Sequence, residues 1–136
     1  MSKTLSFPVR VYYQDTDAGG VVFHAQYLAF MERARTELLN ESGVDLAKMA
    51  EETGAIFFVH EIRMKFVKPK LLNERLMVSA EVVKMGRASF VFRQTVEREG
   101  ELLVEADVSV ATVDRTTKKP VRMPDVLTQT FGPGNG

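Results

Sequence analysis

VYYQDTDAGGVVFHAQYLAFMERAR, residues 11 to 35, changes character twice along its length. It opens in a β-like run, with Val9, Val11 and Tyr13 alternating with their neighbours as far as Gln14. A tight acidic loop follows, Asp15-Thr16-Asp17-Ala18-Gly19-Gly20. From near His24 the pattern becomes helical and apolar around most of its circumference. Two glycines ahead of a helix predict backbone that turns sharply or lies close against a ligand. The first N–H groups of that helix have no partner inside it and stand ready as donors to an oxyanion or carbonyl. A carboxylate a few residues from such donors supplies the parts needed to hydrolyse an acyl group.

Upstream, Leu5, Phe7 and Val9 extend the alternation, and Pro8 predicts a strand that starts beyond it or lies at a sheet edge. Downstream, Tyr27, Phe30, Met31, Ala34 and Leu38 fall at helical spacing to Glu41. Leu28, Ala29 and Leu39 widen that stripe beyond what a surface helix carries, which predicts a helix wrapped by a curved sheet. Gly43 suits the end of this helix. A shorter one is expected over Asp45 to Thr53, capped by Asp45 and closed by Gly54. Everything after reads as strands. Ile56, Phe58, His60, Ile62, Met64 and Phe66 are expected on one face of the next strand, opposite Phe57, Val59, Glu61, Arg63, Lys65 and Val67. Leu76 to Val82, Phe90 to Val96 and Leu102 to Thr112 give three more, with turns at Met85-Gly86-Arg87 and Glu99-Gly100. Pro124 to Phe131 predicts a short helix, and the Gly/Pro-rich residues 132–136 a disordered tail. The order β, α, then four β makes an α+β fold, a single domain over residues 1–131, in which the sheet curls around the helix.

Lys plus Arg and Asp plus Glu balance at 18 each, which argues against nucleic acid and anionic membranes as general partners. The absence of cysteine excludes disulfides, a thiolate nucleophile and a Cys-based zinc site. No apolar run approaches a membrane span and MSKTLSFPVR lacks a signal-peptide core, so a cytoplasmic, non-integral protein is expected. Zero net charge beside 45% hydrophobic residues hints at a surface buried in an oligomer.

Asp17 leads the candidates for chemistry, as a base toward water or as a nucleophile at an acyl carbon. The competing account is that Asp15 or Asp17 only bonds loop N–H groups. His24, at the helix start, is read mainly through its backbone N–H. Gly19, Gly20, Val21 and Tyr27 are taken as substrate contacts. His60 is expected to be a core histidine, and two histidines give no metal spacing. Glu32 and Glu37 are alternative carboxylates, better explained as solvated helix residues, and Ser89 lacks a nucleophile-elbow setting. Of the cations, Arg87 beside Gly86 is best placed to meet a phosphate.

The segment YYQDTDAGGVVFHAQY, Tyr12 to Tyr27, resembles the signature of the 4-hydroxybenzoyl-CoA thioesterase family of hotdog-fold enzymes. The likeness continues through FMERARTELL, RMKFVKP, GRASFVFRQ and VDRTTKKPVRMP, and is strongest to the bacterial acyl-CoA thioesterases associated with the Tol–Pal system. It implies a hotdog fold and active sites at the interface of a homodimer, often paired into a homotetramer. Asp17 then falls on the catalytic carboxylate, which either attacks directly or activates water. The N–H that polarises the thioester carbonyl falls near His24. Where some relatives carry a basic cluster for the CoA phosphates, only Arg87 stands here, so those contacts are weaker or come from elsewhere. The implied substrate is an acyl-CoA or acyl carrier protein thioester, with no cofactor and no metal, and nothing argues for an aromatic acid. Two rivals accompany this reading: a non-catalytic acyl-thioester-binding scaffold of the cell envelope, and a hotdog hydratase or dehydratase.

Overall fold

The computed structural model describes residues 4–10, 24–68 and 75–131. Asp15 and Asp17, expected in a loop, and residues 132–136, expected as a tail, lie outside the described residues. The elements run β1 (Thr4–Arg10), α1 (His24–Glu41), α2 (Leu46–Thr53), β2 (Ala55–Phe66), β3 (Arg75–Met85), β4 (Ser89–Arg98), β5 (Glu101–Asp114) and α3 (Asp125–Phe131). The five strands form one antiparallel sheet in the order β1-β3-β4-β5-β2. Pro8 lies on β1, at one edge, where its missing N–H costs the ladder least.

Helix α1 buries Tyr27, Phe30, Met31, Ala34 and Leu38 against the inner face of the sheet, on Leu76, Val78, Phe90, Phe92, Val104 and Val108. Its backbone lies closest to β3 and β1, toward one side of the sheet. Local signals end the helices where the sequence places them. The Asp45 carboxylate accepts the Lys48 N–H at 3.0 Å, and Gly54 closes α2 at φ +77°. The β4–β5 hairpin turns through Glu99 (φ 49°) and Gly100 (φ 82°), both left-handed, as a two-residue turn between twisted strands requires.

The faces of β2 differ from the simple alternation. Pairing with β5 passes from Val59↔Val110 to Glu61↔Ser109, so His60 is an inserted residue. One extra residue reverses which face every later side chain takes. Ile62, Met64 and Phe66 therefore share the helix side with Phe57 and Val59, while Ile56 and Phe58 join Arg63 and Lys65 outside. His60 is exposed, not a core histidine. A similar shift at Val96/Glu97 pairs Leu102 with Glu97, off the inner row of Val104 to Thr112, and Leu103 is the fully buried residue there.

Candidate active site

The first helical residue is His24, so the unshared amides of α1 begin there. Tyr27, one turn in, is almost wholly buried, with its ring edge-on to Phe30 at 6.3 Å and tilted against Phe66 of β2 at 5.8 Å. These contacts fix the start of α1 at the Phe66 end of β2. From there an apolar row runs along the helix side of β2 through Met64, Ile62 and Val59. Phe66 and Ile62 are each 40% exposed and Val59 39%, because α1 leans toward the other side of the sheet. The start of α1 thus lies beside a partly exposed apolar strip of β2. That arrangement can hold a carbonyl at one end and an acyl chain along the other.

Of the residues proposed from sequence, Asp17, Gly19, Gly20 and Val21 lie outside the described residues, as does the His24 side chain. Arg87 is exposed in the β3–β4 turn, where its carbonyl accepts the Met123 N–H at 3.0 Å. It lines a cleft of about 390 Å³ with Gly86, Arg122, Met123 and Thr128. Arg122 was not singled out from sequence, although it stands in the VDRTTKKPVRMP segment. It also lines a larger groove, about 610 Å³, against Asp45, Lys48 and Glu52 of the α2 region. Ser89 is exposed at the start of β4 and its carbonyl accepts the Gly86 N–H at 2.7 Å, a turn-forming role. Glu32 and Glu37 are exposed on α1.

The Arg87 cleft and the start of α1 are at opposite ends of the sheet. Phe66 pairs with Val104 and hence stands level with Val96, whereas Arg87 precedes Ser89 on the same strand side. Seven residues of strand separate those levels, roughly 23 Å.

Residues 19–105 match the family model of the Thioesterase superfamily. The chain belongs to that superfamily. It is 43% identical over 126 residues to the acyl-CoA thioesterase YbgC of Haemophilus influenzae, covering 93% of each chain. To the acyl-CoA thioester hydrolase YbgC of Escherichia coli O6:H1 it is 42% identical over 133 residues, covering 96% of this chain and 98% of that one. A 4-hydroxybenzoyl CoA thioesterase mutant, solved with 4-hydroxybenzoyl CoA, superposes with a TM-score of 0.86 at 18% identity, over 93% of this chain and 98% of that one. At that identity the likeness is one of fold, and the fold is the hotdog. Among the described residues no helix of this superfamily member is long and apolar enough to cross a membrane.

Proposed function

We propose that this thioesterase hydrolyses an acyl-CoA to the free acid and CoA, with residues 1–131 acting as one domain. Asp17 is the carboxylate that attacks the acyl carbon or takes the proton of the attacking water. The N–H groups at the start of α1, near His24, polarise the thioester carbonyl and hold the oxyanion that develops on it. Gly19, Gly20 and Val21 let the loop backbone approach the thioester, and Tyr27 walls the site. The observation that carries this reading is the start of α1 lying beside the partly exposed apolar strip of β2. The names of the YbgC relatives support acyl-CoA as the substrate. An acyl carrier protein, which can present a similar thioester, is the alternative donor. A cytoplasmic location belongs to the same reading.

The working unit in this proposal is a dimer. Strand β2 forms an edge of the sheet over 12 residues, and Phe58, Val59, Ile62, Phe66 and Val67 around it are large, apolar and exposed. A long apolar edge is a template for another strand. A second β2 running antiparallel against it brings the partner's opposite end, with its Arg87 and Arg122, level with this chain's α1 start. The two arginines then serve as contacts for the CoA phosphates across the interface, and two such dimers can form a tetramer.

The test is thiol release from a panel of acyl-CoAs by the wild type and by Asp17→Asn. The substitution keeps size and removes the anion. Loss of two or more orders of magnitude in kcat, at little change in Tm, is expected from the scale of general-base catalysis. Asp15→Asn is the control for charge in the same loop. If Asp17 only shapes the loop, stability falls and hydrolysis per folded molecule stays near normal. No thiol release by the wild type from any acyl-CoA or acyl carrier protein thioester would favour a binding scaffold instead.

A further inference from the structure

The core holds a polar junction that the chemistry above does not use. Gln94, on the inner face of β4, is fully buried among aromatic and aliphatic side chains. Its Nε2 donates to the Met31 carbonyl of α1 at 2.9 Å and to the Ser79 carbonyl of β3 at 3.2 Å. Its Oε1 accepts from Nη1 of Arg35, one helical turn beyond Met31, at 2.9 Å. The amide orientation follows from chemistry, since only the nitrogen can donate to two carbonyls and only the oxygen can accept from a guanidinium. Beside this junction the β3–β4 register passes from Val78↔Val96 to Glu81↔Arg93. There the Thr95 N–H donates to the Ser79 hydroxyl at 3.0 Å, and the Ser79 carbonyl turns to Gln94.

Such a junction is costly. Burial works against the Arg35 guanidinium and lowers its pKa, opposed by Glu32 one turn before it. Apolar residues at positions 94 and 35 together would avoid that desolvation, whereas an apolar residue at 94 alone leaves the guanidinium without its acceptor. What apolar packing cannot do is fix the helix along its own axis. The stripe of α1 rests on Val, Leu and Phe side chains, and contact between apolar surfaces is non-directional. Two bonds to consecutive turns of α1 are directional and specify one seat.

We propose that Gln94 and Arg35 are positioning residues that set where α1 lies along the sheet, and so where its first N–H groups meet the thioester carbonyl. The inference rests on the oxyanion role proposed for those groups. Misplacement of about an ångström at a reacting centre can cost on the order of a hundredfold in rate.

The experiment compares Gln94→Leu, Arg35→Met and Arg35→Lys with the wild type. Hydrogen exchange of α1 is followed against that of β4 and β5, and kcat and KM are measured well below each Tm. In Gln94→Leu and Arg35→Met, exchange should quicken in α1 while the strands stay protected. Their kcat should fall roughly tenfold with KM within about twofold, and Arg35→Lys should recover part of the rate. Exchange that quickens equally in helix and strands, or not at all, overturns the proposal. So does a loosened α1 with unchanged kcat. If Gln94→Leu does not fold, the Arg35 variants carry both readouts alone. A wild type that hydrolyses neither acyl-CoA nor acyl carrier protein thioesters would refute the oxyanion reading, and with it the catalytic consequence of the seating. The exchange arm would still tell whether the junction seats the helix.

Discussion

Asp114 shows what a loop aspartate does when its work is structural. Its Oδ1 accepts the Thr116 N–H at 2.8 Å and the Thr117 N–H at 2.9 Å, closing the turn after β5. Those two backbone bonds, Thr117 first, hold its pKa below the ordinary carboxylate value. The group is more acidic folded than unfolded, so its stabilisation is present above the unfolded pKa and lost as pH falls through the folded one. Asp114→Ala should therefore melt below the wild type at neutral pH. The gap should narrow as the pH drops below about 4, the unfolded carboxylate range. Melts at a series of pH values between neutrality and strong acid measure it, and a gap constant with pH would show that the anion contributes nothing. The turn-forming role considered for Asp17 is the one seen at Asp114. Sequence cannot separate the two, because Asp-containing turns look alike whether or not a ligand sits beside them.

At the scale of elements, caps were legible, and strand phase was legible except where a bulge intervenes. Asp45 and Gly54 bracket α2 as read from the chain, because capping depends on one side chain and one backbone angle. The helix–strand order was legible for a similar reason, since periods of 3.6 and 2 are local patterns. The face of each β2 side chain depends instead on a bulge at His60, set by pairing with β5, and alternation alone has no signal for an inserted residue. At Gln94 the alternation marks only an inward strand position, because its partners on α1 and β3 are far away in sequence. The two helix-ending glycines give a paired prediction. Both have positive φ, 85° at Gly43 and 77° at Gly54, so alanine at either is expected to cost about 1–2 kcal/mol of backbone strain. At Gly43 an added Cβ meets nothing within 4 Å, whereas at Gly54 it meets Asp114 Oδ2 at 3.3 Å. Gly54→Ala should thus lose more stability than Gly43→Ala in urea titration, and the difference should shrink in an Asp114→Ala background. Equal losses would mean that the Asp114 side chain yields freely.

For the whole molecule, the question is whether one chain can make one site. The sequence pointed toward an oligomer through zero net charge beside 45% hydrophobic residues and through the shared sites its family likeness implies. Its likeness to a thioesterase family pointed to Asp17 and the helix start. It did not show that Arg87 and the α1 start occupy opposite ends of the sheet, because that follows from strand register. Arg122 was missed for the same reason, since only folding brings it to the Arg87 cleft. The dimer proposed here makes a quantitative prediction from that separation. In that proposed dimer each site would take Asp17 from one chain and Arg87 from the other. Arg87→Ala alone should raise KM for acyl-CoA more than it lowers kcat, because a remote contact binds ground and transition state alike. Mixed dimers of an Asp17→Asn chain with an Arg87→Ala chain then contain one intact site and one that lacks both groups. Their expected behaviour is about half the wild-type kcat at the wild-type KM. If Arg87 served its own chain's site, every Asp17-bearing site in the mixed dimer would lack the arginine, and KM would stay raised. Differently tagged chains, co-expressed and purified through both tags, provide the mixed dimer. Light scattering on the same sample reports whether a dimer exists at micromolar concentration. A fully active monomer would remove the shared site altogether, whereas a stable dimer with raised KM would keep the interface and return Arg87 to its own subunit.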